Sequence, residues 1–177
     1  MHMLIKCLLM LFMLYQSSLF AGKFNCDDSN TMFPTKQEYL VYLNELSEKY
    51  GSTDMLVEIL GNEDSVEFKK LDDYFYSKFG AYIYSELVFE QNANKNKALK
   101  NLIRNGVHPY EEMFDKGSIV NWVIIFDDRA GFDAFYESEK LEECQNKLEK
   151  LIEFSESNKK NYYADKLREL LNKTDKE

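Results

Sequence analysis

Proline and glycine are scarce in this chain, 2 and 7 of its 177 residues, which excludes collagen-like repeats, flexible linker arrays and glycine-rich propeller blades. Histidine is confined to His2 and His108, so a multi-histidine metal site is excluded. The three cysteines, Cys7, Cys26 and Cys144, lie too far apart for zinc-finger spacing. Positive charge is also short: 22 basic side chains face 31 acidic ones, a formal net charge of -9. Such a balance argues against broad nucleic-acid binding and against docking on anionic lipid. Aromatic residues, by contrast, reach 15%, far too many for a disordered acidic tail. A packed core of one domain is expected.

The N-terminus reads as an address. Lys6 precedes an unbroken apolar run, Cys7–Tyr15, and small or polar residues follow up to Ala21 and Gly22. A basic start, a short apolar middle and a small residue at the cut describe a secretory signal peptide over residues 1–21. The run falls well short of the ~20 apolar residues that cross a bilayer, so no membrane span is expected after processing. The alternative is an uncleaved N-terminal anchor. Cleavage after Ala21 removes Lys6, His2 and Cys7 and no acid, leaving 156 residues with 21 basic and 31 acidic side chains. Cys26 follows Phe24-Asn25, which is not a lipoprotein processing context. In an oxidising compartment Cys26 and Cys144 are expected to form a disulfide, the alternatives being free thiols or pairing between chains.

Past an irregular segment at 22–34, the chain reads as consecutive short helices. Thr35 with Glu38 three residues on makes a capping box, followed by Tyr39, Leu40, Leu43 and Leu46 at helical spacing and a stop at Gly51. A second helix is expected over 54–60, ending at Gly61. A third is expected over 65–79, with Phe68, Leu71, Phe75 and Phe79 on one stripe and a stop at Gly80. The Tyr-rich patch 74–84 is the one place where a strand remains open.

The centre repeats itself. Ser85-Glu-Leu-Val-Phe89 and Ser118-Ile-Val-Asn-Trp122 start 33 residues apart, and the same offset carries Leu99 onto Phe132, Leu102 onto Phe135 and Ile103 onto Tyr136. A period near 33 with two helices per unit marks a solenoid. Residues 85–138 resemble two degenerate ankyrin repeats. Ala98–Gly106 is similar to the second ankyrin helix and its closing glycine. Val107-His108-Pro109-Tyr110 resembles the turn that follows, and Ser118–Ile124 stands where the family has Thr-Pro-Leu-His-x-Ala. This sequence departs from that pattern at Ile119, Asn121 and Val123, and has Glu139 where a closing glycine belongs. The resemblance implies an all-α fold of short antiparallel helix pairs stacked as an ankyrin-like solenoid. Residues 35–84 would form an N-terminal helical cap and 139–177 C-terminal helices. The rival is an ordinary irregular helical bundle.

Catalytic sets are thin. His108 is the single base left for a nucleophilic triad, and no Gly-x-Ser-x-Gly elbow or glycine-rich phosphate loop accompanies it. His108 reads instead as a turn residue before Pro109. Asp127 and Asp128, with Asp133, are the best carboxylate pair for acid and base, yet their place between two helices fits capping. No metal or cofactor is expected.

Partner-binding candidates follow from the resemblance, in which the connection 106–117 projects as a finger. It carries Tyr110, Glu111, Glu112, Met113, Phe114 and Asp115, aromatic and methionine anchors set among acids. Val107, Met113 and Phe114 can equally fold back as core. Asp127 and Asp128 complete the candidate surface, and Trp122 reads as core. The expectation is an exported, acidic protein-binding module that occludes one protein partner. Its most concrete form is a periplasmic immunity protein against a secreted antibacterial toxin, a basic partner being favoured by electrostatic steering toward an acidic body. An envelope scaffold subunit is the alternative, and a carboxylate-dependent hydrolase stands behind both.

Overall fold

The computed structural model describes residues 25–26, 35–89, 92–112 and 117–174. Residues 1–21, expected above to be a signal peptide, and most of 22–34 lie outside them, as do Met113, Phe114 and Asp115. Among the described residues the protein is all-α, with eight α-helices, no strands and one isolated antiparallel bridge between Glu112 and Ser118. The helices are α1 (Lys36–Tyr50), α2 (Thr53–Leu60), α3 (Asp73–Leu87), α4 (Lys95–Arg104), α5 (Ile119–Ile125), α6 (Arg129–Glu137), α7 (Gln145–Ser157) and α8 (Asn161–Thr174). No described helix is long and apolar enough to cross a membrane.

Local chemistry starts and stops these helices. The Thr35 hydroxyl donates to Glu38 Oε2 at 2.7 Å and accepts from the Glu38 N–H at 3.2 Å, so Thr35 caps α1 as expected, with Glu38 meeting its hydroxyl and not its backbone N–H. Gly51 ends it in the left-handed region, φ 82°. Ser52 caps α2 through the Met55 N–H, and Asp72 caps α3 through the Phe75 N–H at 2.9 Å.

That last cap corrects the sequence reading. The helix expected over 65–79 is a single 3-10 turn, Phe68–Lys70, and the α-helix begins only after Asp72 and runs on through Gly80. Gly80 serves close packing rather than termination: a Cβ there would meet Val107 Cγ2 at 2.6 Å. The Tyr-rich patch is helical throughout, with Tyr82 and Tyr84 buried. The boundary drawn between 84 and 85 therefore falls inside α3. Ser85 sits in its last turn and donates to Ala81 O at 3.1 Å, whereas Ser118 is a true N-cap.

Helices alternate between two rows. α2, α4 and α6 contact one another in succession, and so do α3, α5 and α7. Across the rows α3 packs on α4, α5 on α6 and α7 on α8. Of the residues matched at the 33-residue offset on α4 and α6, Leu99, Leu102, Ile103, Phe132 and Phe135 are buried and Tyr136 is half-buried. Burying each such side chain favours folding by about 1.5–3 kcal/mol. Tyr84 ties the rows together, stacking on Phe135 at 4.3 Å between centroids and donating to Gly131 O at 2.6 Å. α1 lies over α3 through ring contacts of Tyr39 with Tyr82, Tyr42 with Phe79 and Tyr50 with Phe75. Cys26 and Cys144 form a disulfide, 2.03 Å between sulfurs, pinning the start of the described chain to the segment before α7.

Candidate functional site

α5 is the helix around which the candidate residues gather. Its N-terminal end carries the finger, its C-terminal end the turn with Asp127 and Asp128. Ser118 and Asn121 open it reciprocally: the Ser118 N–H and hydroxyl both reach Asn121 Oδ1, at 3.0 and 2.6 Å.

The finger is fastened down at its base. The Ile119 N–H donates to Glu111 O at 2.9 Å and the Val120 N–H to Pro109 O at 3.0 Å, while Glu112 bridges Ser118. Gly106 and Gly117 flank it with φ 117° and 98°, values that suit glycine. Tyr110, expected as a contact anchor, is instead core: it is 3% exposed, and its hydroxyl donates to Leu141 O at 3.2 Å. Beneath it lies a buried polar cluster. The His108 N–H donates to Glu111 Oε1 at 2.6 Å, the Tyr110 N–H to His108 Nδ1 at 3.4 Å, and His108 Nε2 lies 3.5 Å from Glu143 Oε2. Burial lifts the Glu111 carboxyl to about 7, against the opposing hydrogen bond from His108 and the charge of Lys140. Burial, helped by Lys140 and Lys147, pushes the His108 imidazole down to about 3. Glu111 is half-buried, its carboxylate turned to the His108 backbone. Glu112 is half-buried and lines a groove of about 350 Å³ between the finger and α7, with Lys147 and Lys150 on its far side.

At the other end of α5, adjacent acids part company. Asp127 is a left-handed turn residue, φ 59°, with its side chain 56% exposed and Oδ1 4.0 Å from Lys160 Nζ. Asp128, expected on the surface, turns inward. Its Oδ2 lies 3.0 Å from Lys95 Nζ, the two side chains being 9% and 11% exposed. A Cβ at Gly131 would meet the same Oδ2 at 2.7 Å, so this glycine makes room for the pair. Asp128 is held to a buried cation and is turned away from solvent, apart from Asp127. Among the described residues no group of three or more His, Cys, Asp or Glu side chains is placed to hold a metal ion.

The structure exposes a surface that the sequence reading passed over. Phe89, Ile125 and Phe126 are 58%, 44% and 46% exposed. Phe126 meets Phe89 edge-on at 4.7 Å and stacks on half-buried Trp122 at 5.5 Å with an interplanar angle of 12°. Trp122 Nε1 is buried without a hydrogen bond to any described residue. The signal was present in α5 itself, IVNWVII, which is apolar on nearly every face. A helix that is apolar all round but packed in an outer position must leave apolar surface to solvent.

Comparison of the chain with protein-family models, with curated proteins and with solved structures finds no match.

Proposed function

We propose that the chain is an exported protein-binding module of ankyrin-like design, whose task is to occlude one protein partner. Its most concrete form is an immunity protein that meets a secreted antibacterial toxin in the periplasm. The observation that carries this reading is the exposed pair Phe89 and Phe126 in ring contact, with half-buried Trp122 stacked on Phe126 and exposed Ile125 on the same helix, on a packed helical frame. Aromatic anchors of this kind dominate protein–protein contacts, and a monomer has no folding reason to leave them in water. The two rows of helices and the reciprocal Ser118–Asn121 cap support the ankyrin-like part, while the position of Ser85 inside α3 argues for a longer, irregular first unit. Export is supported by the Cys26–Cys144 disulfide, a bond that persists in oxidising compartments. The confinement of Asp128 by Lys95 weighs against the carboxylate hydrolase.

The test is co-expression with the product of the neighbouring gene. A stable complex together with rescue from that product's toxicity is the expected result. Neither complex nor rescue would overturn the immunity reading, and recovery within a constitutive multi-protein assembly would favour the envelope scaffold.

A further inference from the structure

Trp122 and Ile125 lie on one strip of α5, and the exposed rings of Phe126, at its C-cap, and Phe89 adjoin it. Ser118, Asn121, Trp122 and Ile125 follow the i, i+3, i+4, i+7 spacing of a single helix face, and the Phe126 N–H continues the helical bonding to Trp122 O at 3.0 Å. A cleft of about 350 Å³ is lined by Ser118 and Asn121 at one end of the strip, and a second of about 350 Å³ is lined by Asp127, one residue past Phe126. At the polar end, next to Ser118 and Asn121, the α7 side is lined by Lys147 and Lys150, with Glu112 opposite. At the apolar end, beyond Phe126, the cleft is lined by Arg129, Lys159 and Lys160, with Asp127 as its acid. Among the described lining residues, then, bases outnumber acids at both ends of the strip. The chain as a whole has the reverse balance, 22 bases to 31 acids. Cationic side chains are therefore found near the exposed aromatic pair Phe89 and Phe126 in excess of the chain's overall balance.

We infer that this α5 strip is the docking surface for a protein segment that carries apolar side chains next to carboxylates. The apolar side chains lie on Trp122, Ile125, Phe126 and Phe89, and the carboxylates reach the lysine-bearing clefts at either end. This rests on the protein-binding reading above and deepens it. It also separates two roles of charge. The acidic body acts at long range and speeds the approach of a partner with net positive charge. The basic clefts act at contact and select the acidic, apolar segment of that partner, rejecting a basic one by like-charge juxtaposition.

Trp122 is the single tryptophan of the chain, so its fluorescence reports directly on the strip. The probes are a short synthetic peptide alternating Leu and Phe with Glu, the same peptide with Lys in place of Glu, and vesicles of phosphatidylglycerol with phosphatidylcholine. The acidic peptide is expected to shift Trp122 emission saturably, and the shift to weaken with added salt. Phe126→Ser and Lys150→Glu are each expected to weaken that binding by about tenfold or more, with the circular dichroism spectrum unchanged. Equal binding of the lysine peptide, no response to either peptide, or a response to vesicles but not to the acidic peptide would each overturn the inference. A second arm uses the neighbouring gene's product. If the wild-type chain captures it and the Phe126→Ser, Lys150→Glu double variant captures it equally well, the strip is refuted while the binding function stands. If the wild-type chain captures nothing, the function itself fails.

Discussion

The two ends of α5 carry similar chemistry and use it in opposite ways. At the N-terminal end the finger offers an aromatic and neighbouring acids, and the fold draws them in: Tyr110 is 3% exposed and Glu111 is bonded to the His108 backbone. At the C-terminal end the turn offers Phe126 and Asp127, and both remain in solvent. The difference is where the backbone hydrogen bonds go. The finger folds back on α5, with Glu111 O and Pro109 O accepting from the first N–H groups of that helix. The turn after Ile125 makes short-range bonds to the helix it ends, Asp127 N–H on Ile124 O and Asp128 N–H on Val123 O, and brings no distant segment back over α5. Its side chains are left free to face outward, apart from Asp128. A residue's role at these two ends is set by the path of the chain and not by its type.

The largest expected effect tests the one inward exception. Asp128→Asn removes the counter-charge of Lys95 in a site where both side chains are close to fully buried. Leaving one buried charge without its partner costs about 3–5 kcal/mol, far more than an exposed pair is worth. Urea denaturation should show that loss as a lower midpoint with an unchanged slope.

How much of this was legible beforehand depends on how local the physics is. The all-α class, the Thr35–Glu38 cap, the Gly51 stop and the pairing of Cys26 with Cys144 rest on short-range rules or simple counting, and the structure agrees with each. Gly80 was misread because a helix stop and a close approach both call for glycine, and only the position of Val107 tells them apart. Asp127 and Asp128 were read as one pair because they adjoin. Their separation depends on Lys95, a residue of another helix, so no window around the turn contains the answer. Phe89 and Phe126 were missed because an apolar residue at helical spacing is ordinarily core, and exposure follows from which neighbours the chain happens to supply.

A middle-sized effect probes the inward end by pH. The folded pKa of Glu111, about 7, lies above its ordinary 4.5, so its contribution to stability is full below pH 4.5 and is lost as pH rises toward 7. The folded pKa of His108, about 3, lies below its ordinary 6.5, so its contribution is present above pH 6.5 and is lost as pH falls toward 3. Between pH 4.5 and 6.5 the two slopes oppose each other, and the wild-type chain should be nearly flat on their account. Glu111→Gln removes one slope and exposes the other. Its stability should rise by about 1–2 kcal/mol from the acid to the neutral side of that window, a value reduced for partial solvent access. Thermal unfolding of both chains across the window measures it. A variant that stays flat would mean that His108 keeps its ordinary titration.

The smallest effect completes the contrast between neighbours. Asp127→Asn alters a side chain that is mostly in water and whose nearest cation, Lys160, stands 4.0 Å away. Asparagine adopts the left-handed conformation of this turn as readily as aspartate, so the backbone at φ 59° is undisturbed. Stability should change by no more than about 0.5 kcal/mol in either direction. Binding should respond differently, because Asp127 is the acid of the cationic cleft beyond Phe126. Neutralising it makes that cleft more basic, so an acidic, apolar peptide should bind the variant at least as tightly as the parent. Weaker binding would mean that Asp127 itself contacts the partner and that the cleft prefers cations. One substitution therefore distinguishes the sign of the strip's charge from the sign of the whole chain, with no loss of fold to confuse the reading.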